Sequence, residues 1–563
     1  MLLEFLSDPV IAYFSMEIAL DNEIPTYSGG LGVLAGDTLR SATDLDLPMV
    51  GVTLVSRKGY FRQEIDENNG QLEHPEPWQP EKFAHFLPSK IAVEINGRQV
   101  WVGAWLYVLE NSEGIRKPVI LLDTNLPENH VDDRKITDYL YGGDLEYRLR
   151  QEIILGIGGV RLLHALDFVV REYHMNEGHS ALLGLELLRR NARVARLVKD
   201  DESQYDVPAV RRICKFTTHT PVESGHDKYP YELADKTIGK LIDVRLLNKL
   251  ASKDCLNMTQ LALNLSDYVN GVAKRHAEVS NKMFPGYHIR SITNGVHPFT
   301  WTAEGFIRLY DEYLPGWRFE SELLVRVDQI PDIKIWQSHQ QAKDKLLALI
   351  KEQSGVQFDP DIPIIGFARR MTAYKRPGLL FSDMELLSKI AEEYPFQLLI
   401  SGKAHPKDVD GKQGIKNLQL TMNEFQHIIP SVYLPNYDLN IAKHMVSGVD
   451  LWLNTPLRPL EASGTSGMKA SFNGVPNFSV LDGWWIEGCI EGVTGWSIGD
   501  SESSQNGDDM ISLYSKLENV ILPLYHNDRR AWIKVMKGTI GKNASYFNSH
   551  RMMRRYVTEA YLR

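Results

Sequence analysis

The chain has 563 residues, 43% of them hydrophobic and 24% charged, with 72 acidic against 62 basic side chains for a formal charge of -10. That length asks for more than one core, the composition excludes a disordered chain, and the acidic balance offers nucleic acid no bulk attraction. Cys214, Cys255 and Cys489 have no paired spacing, which excludes a disulfide scaffold or thiolate metal site and suits a reducing compartment. The N-terminus has no basic start before its apolar residues and no apolar run reaches the length of a membrane span, so the expected location is the cytoplasm, with no membrane partner.

In chain order, residues 10–14, 48–54, 119–122, 168–172 and 213–216 are short apolar runs that predict strands of a first half. Residues 363–367, 396–400, 429–433 and 450–453 predict those of a second. Continuous apolar runs suit strands buried on both faces, so the expected class is α/β with parallel sheets and helical crossovers. Residues 340–352 suit a helix, and the change of domain is expected near 296–305, after Asn294-Gly295-Val296-His297-Pro298. The chain from about Asp528 is basic and aromatic, and is expected as a helical segment returning to the first half. The expected division is therefore 1–297, 298–527 and 528–563.

Several polar blocks follow these strands. The turn Tyr27-Ser28-Gly29-Gly30-Leu31-Gly32 leads into a helix-compatible segment, and its bare amides suit a phosphate, a structural turn or, more weakly, a dinucleotide. His174-Met175-Asn176-Glu177-Gly178-His179 and Thr217-Thr218-His219-Thr220 each end a strand-like run. Internal hydrogen bonds explain His174 and His179 better than metal binding, whose helical spacing is missing. Arg369-Arg370-Met371-Thr372-Ala373-Tyr374-Lys375-Arg376 comes directly after a buried run; it reads as a phosphate grip or as a solvated basic helix. Glu461-Ala462-Ser463-Gly464-Thr465-Ser466-Gly467-Met468-Lys469 follows another. Its amides suit an anion, and Lys469 is either an amine that condenses with an aldehyde or a structural lysine.

Together these blocks resemble the α-glucan phosphorylase family of glycogen, starch and maltodextrin phosphorylases, in a short form. Glu461 to Thr465, Met468-Lys469 and Leu481-Asp482-Gly483 are similar to its pyridoxal-phosphate region. Gly29 to Gly32, His219-Thr220, Thr293-Asn294-Gly295, Tyr374-Lys375-Arg376 and Asn436-Tyr437 resemble its other blocks, in order, over residues 25 to 490. The resemblance implies two Rossmann-like doubly wound domains facing a deep cleft, the GT-B glycosyltransferase architecture. It implies that Lys469 forms a Schiff base with pyridoxal phosphate, that the Gly464 and Thr465 amides with Arg369 meet the cofactor, and that Tyr437 borders its pocket. Arg370, Lys375 and the Gly30 amide would take substrate phosphate, while Glu461, His219 and Asn294 would position the reacting glucose.

The implied reaction is phosphorolysis of terminal α-1,4 bonds of an α-glucan or maltooligosaccharide by inorganic phosphate, giving α-glucose 1-phosphate with retention. In it the cofactor phosphate gives and takes a proton, and no metal is needed. A homodimer is the family expectation. The chain departs from the family in Arg369-Arg370-Met371-Thr372, which lacks the usual histidine, and in Ser466-Gly467; both fall on substrate geometry rather than cofactor attachment. A glycine loop at residue 29 leaves no room for the long regulatory region of the animal enzymes, so no phosphorylation switch or nucleotide activation is expected. Competing readings are a sugar-nucleotide-dependent glucan synthase and a glucan-binding regulatory protein without catalysis.

Overall fold

The computed structural model describes residues 2–193, 203–239, 241–500 and 506–562. The run Val10–Ser15 is wholly buried, as its apolar stretch to Phe14 demands, and it forms the middle of a nine-stranded sheet. From one edge the order is Arg290–Ser291, Tyr268–Gly271, Cys214–Thr217, Val170–Asn176, Val10–Ser15, Met49–Leu54, Arg116–Asp123, Arg98–Glu110 and His85–Ile95. The first seven strands run parallel. The last two form an antiparallel edge with the Arg116–Asp123 strand.

A second sheet contains six parallel strands, ordered Ser431–Leu434, Gln397–Ser401, Ile364–Ala368, Leu451–Asn454, Asn477–Val480 and Gly495–Ile498. Counted along the chain this is the order 3-2-1-4-5-6 of doubly wound sheets, which collect ligands beyond the strand carboxyl ends where the order reverses. That point lies between Ala368 and Asn454, and the chain leaves it as Arg369-Arg370 on one side and Thr455 to Glu461 on the other. The first sheet reverses between Val10–Ser15 and Val170–Asn176. There the exits are Met16-Glu17 and Glu177-Gly178. Each sheet therefore delivers its polar residues to such a point.

A hairpin and the C-terminal helix are among the devices that join the halves. The hairpin of Arg62–Ile65 and Gln71–His74 reaches over the second sheet. Gln63 donates to the Gly402 carbonyl at 2.9 Å and accepts from the Asn436 amide at 2.7 Å, and Gln71 exchanges bonds of 2.9 and 3.0 Å with the Ala404 backbone. The C-terminal helix Ser549–Tyr556 packs on the helix Gly30–Asp44, with Met552 and Tyr556 in the same core as Leu34 and Leu39. Its first turn is pinned by Asp44, whose Oδ2 accepts from His297 Nε2 at 2.7 Å and His550 Nε2 at 3.0 Å. Tyr561 beyond it meets His174 Nδ1 at 2.6 Å. No described helix is long and apolar enough to cross a membrane.

Candidate active site

The lysine expected as an anchor lies on the short helix Ser466–Ser471. Gly464, just before it, adopts φ +82, which a side chain would resist, and so turns the chain from Glu461 into that helix. Lys469 is buried, its Nζ 4.0 Å from the centre of the Trp301 ring. That amine makes no hydrogen bond or ion pair among the described residues. Burial pulls its ammonium down to about 8, with only the field of Asp37 opposing. Asn473, one turn on, holds this arrangement: its Nδ2 donates to the Trp301 carbonyl at 2.8 Å and its Oδ1 accepts from the Ala303 amide at 2.7 Å. Trp301 in turn donates from Nε1 to Asp37 Oδ2 at 2.8 Å. A cavity of about 100 Å³ opens on Trp301, Asp37, Val33 and Leu439.

The basic block meets the acid of the lysine motif. Glu461 Oε2 binds the Lys375 ammonium and accepts from Arg369 Nη2 at 3.0 Å. Burial alone would raise the Glu461 carboxyl, but Lys375 and Arg369 hold it below the ordinary carboxylate range. The Glu461 amide donates to Asp482 Oδ2 at 2.8 Å, and the Gly483 amide to Asp482 Oδ1 at 2.9 Å. Burial pushes the Asp482 carboxyl up to about 6. Arg369 keeps Nε and Nη1 buried without a partner, as do Thr372 Oγ1 and Ser463 Oγ. Unpaired donors at buried depth are costly unless a ligand takes them. Arg370 is exposed, in the field of Tyr374, Tyr60 and Glu17, and Tyr437 is half-buried, in the fields of Asp438 and Arg369.

Two of the expected residues show their partners at this point. Glu461, expected on the sugar, meets Lys375 and Arg369 through one oxygen, Oε2. The glycine turn, expected to offer its amides to phosphate, gives two of them away: Glu17 Oε2 accepts from the Ser28 and Gly29 amides at 2.6 and 3.2 Å. Tyr141 donates to the other Glu17 oxygen at 3.0 Å. Glu17 thus fills the inner side of the turn, and Gly30, the first residue of the helix, is left exposed. Tyr27 OH accepts from the Leu439 amide at 3.1 Å, which ties this turn to the second half.

His219 and Asn294 line one narrow crevice with Asn176, Thr38 and Tyr556. His219 donates its amide to Glu177 Oε2 at 2.7 Å and meets Asn176 Oδ1 through Nε2 at 2.6 Å. Burial, with His276, His174 and His179 nearby, holds its imidazole down to about 3. Asn294 Oδ1 is buried and unpartnered. His174 is satisfied by Thr217 and Tyr561, a structural role. His179 has one ring nitrogen 3.4 Å from Asp227 and the other buried without a partner. Glu17 and Trp301 carried no local sign of their roles, whereas Asn176, Asn473 and Asp482 stood inside blocks that border the strand ends.

Residues 240–494 match the carbohydrate phosphorylase family. The maltodextrin phosphorylase of Thermococcus litoralis is 40% identical, over 98% of this chain and 70% of its own. The glycogen phosphorylase of Aquifex aeolicus is 36% identical over 98% and 86%. An uncharacterized protein of Methanocaldococcus jannaschii is 31% identical over 98% and 99%.

Proposed function

Because the chain belongs to the carbohydrate phosphorylase family, we propose that it is a pyridoxal-phosphate-dependent α-glucan phosphorylase that releases α-glucose 1-phosphate from chain ends with retention. In this reading residues 1–297 and 298–527 are two Rossmann-like halves of a GT-B architecture, and residues 528–563 pack back across their junction.

The residues fit the cofactor. An amine destined for an aldehyde must be uncharged to attack, and burial has already brought Lys469 down to about 8. The unpartnered donors of Arg369, Thr372 and Ser463 suit phosphate oxygens. Lys469 would anchor the group, with the Gly464 and Thr465 amides, Arg369 and Tyr437 around it. When bound, it supplies a second phosphate as proton donor and acceptor for inorganic phosphate.

The chain's own side chains do the rest. Arg370, Lys375 and the Gly30 amide bind inorganic phosphate, and Glu461 holds Lys375 and Arg369 through Oε2 while its other oxygen is left to position the glucose. Asn294 and His219 hold the terminal glucose. A phosphate oxygen then bonds C1 on the face from which the next glucose departs, which retains the α configuration, and the departing oxygen takes the proton that the attacking phosphate gives up. Burial of Lys375 and Arg369 strengthens their hold on the anion. The observation that carries this reading is the buried, unpaired Lys469 amine, which a sugar-nucleotide-dependent synthase does not require. The test combines cofactor-loaded protein, inorganic phosphate and maltooligosaccharides of several lengths. Phosphate-dependent α-glucose 1-phosphate is expected, and its absence at every length ends the reading.

A further inference from the structure

His219 is held by a chain of hydrogen bonds whose direction can be worked out from one end. The Glu17 carbonyl oxygen can only accept, so the hydroxyl hydrogen of Ser15, 2.7 Å away, is committed to it. Ser15 Oγ must then accept from its other neighbour, the Asn176 side chain at 3.0 Å. Only the amide nitrogen of Asn176 can donate, which turns its carbonyl oxygen toward His219. The His219 Nε2 lies 2.6 Å from that oxygen and must carry a hydrogen. A flipped Asn176 would instead take the Ser15 hydrogen and strand the Glu17 carbonyl. Ser15, Asn176 and Asn270 are buried, with Asn270 committed to Thr217 and Tyr556, so no other donor intrudes.

We propose that Ser15 and Asn176 are positioning residues that lock His219 as the Nε2–H tautomer, so that the crevice presents the bare Nδ1 as an acceptor for a ligand hydroxyl. His219 Nδ1 makes no hydrogen bond among the described residues, and the Asn294 Oδ1 in the same crevice is likewise an unpartnered acceptor. The ligand group that meets His219 Nδ1 must therefore be a hydrogen donor, as a hydroxyl of a polyol or sugar is and a carboxylate is not. The groups facing His219 are consistent with a neutral ring: His276, His174 and His179 surround it, and the one carboxylate in contact, Glu177, is occupied by the His219 and Gly178 amides and the Thr220 hydroxyl. That the donor is a glucose hydroxyl rests on the α-glucan reading; the tautomer does not.

The test is long-range proton–nitrogen NMR on protein labelled with 15N-histidine, with the His219 signals assigned by their loss in His219→Gln. The expected pattern is a bare Nδ1 and protonated Nε2, unchanged from pH 5 to 8. Asn176→Asp keeps an acceptor but adds charge, so the tautomer persists and the ring titrates at higher pH. Asn176→Leu removes the acceptor, and Ser15→Ala frees the amide to flip, so both yield mixed tautomers. In phosphorolysis, Ser15→Ala and Asn176→Leu lower kcat/KM for maltooligosaccharide about tenfold with the KM for phosphate unchanged. A protonated Nδ1 in the parent protein overturns the proposal, as does a tautomer unmoved in Ser15→Ala and Asn176→Leu. If Asn176→Leu does not fold, Asn176→Asp and Ser15→Ala carry the test. Parent protein that shows the tautomer but no phosphorolysis defeats the α-glucan reading and leaves the tautomer standing.

Discussion

At the basic end of the candidate site Glu461 is shared between Lys375 and Arg369, with donors of Arg369 left over, whereas at the histidine end His219, Asn176 and Ser15 form an uncharged relay. The first arrangement keeps its charges in place by pairing them and holds excess positive charge for an anion. The second avoids charge altogether: His219 is held down to about 3 and so stays neutral at physiological pH. A ligand with an anion at one end and hydroxyls at the other fits this division. A low-dielectric crevice makes it sharper, since each unpaired group there has few alternatives to the ligand.

The largest break in this contrast is Lys469→Met. It removes the amine on which the proposed cofactor attachment depends, so phosphorolysis is expected to fall by at least ~1000-fold. The same change should stabilise the cofactor-free protein. A folded pKa lowered to about 8 means that the ammonium opposes folding below pH 8, and that the cost fades as pH rises toward the ordinary lysine value. Removing it gains at most ~3 kcal/mol at pH 7, read as a higher Tm. A variant both inactive and less stable contradicts the buried amine. Lys375→Met comes next: Glu461 loses one of two partners, which costs about 2 kcal/mol, and kcat/KM for phosphate is expected to drop about 100-fold. Because pairing depresses the Glu461 pKa, its contribution is complete above the ordinary carboxylate value and is lost as pH falls. Acid denaturation of Lys375→Met should therefore begin at higher pH than in the parent.

Much of this layout was legible because parallel strands are buried on both faces. Residues 363–367 and 450–453 read as runs rich in apolar residues, and Ile364–Ala368 and Leu451–Asn454 are strands with every residue buried. The block following each run could then be located at a carboxyl end. The long strands His85–Ile95 and Arg98–Glu110 gave no such run, since as an edge pair they alternate buried and exposed positions. What a carboxylate touches was not legible either. Glu461 turned to Lys375, 86 positions away, and Glu17 reached the Ser28 amide across a turn; both choices follow from where the sheets put the loops. Asn176 lay in view between two histidines, but its role depends on Ser15, 161 positions away on a neighbouring strand.

Asp482→Asn tests the basic end without touching its cations. The folded Asp482 pKa stands raised to about 6, so its protonated form favours the fold. That contribution is complete below the unfolded value near 4 and is lost as pH rises through about 6. Asparagine does not titrate, so the fall in stability across that window, at most ~3 kcal/mol, should flatten in the variant. A parent protein equally stable at pH 4.5 and 6.5 would contradict the raised carboxyl, while a variant retaining the fall would assign it to another group.

The smallest expected effect separates two glycines of one turn. A Cβ on Gly30 meets nothing within 4 Å, and its φ is not in the left-handed range, so Gly30→Ala should fold as the parent does. A Cβ on Gly32 would lie 2.6 Å from Glu17 Oε2 and 2.7 Å from Tyr27 Cβ, both part of the turn's support. Gly32→Ala is therefore expected to lower stability by 1–3 kcal/mol, as overpacking does, and to loosen the turn for every ligand. With Glu17 occupying the Ser28 and Gly29 amides, the remaining contact open to phosphate is the face around Gly30. The added methyl should raise the KM for phosphate about threefold, leaving the KM for glucan and the Tm unchanged. Equal shifts in both KM values would move the turn away from the phosphate and toward the junction of the two ends.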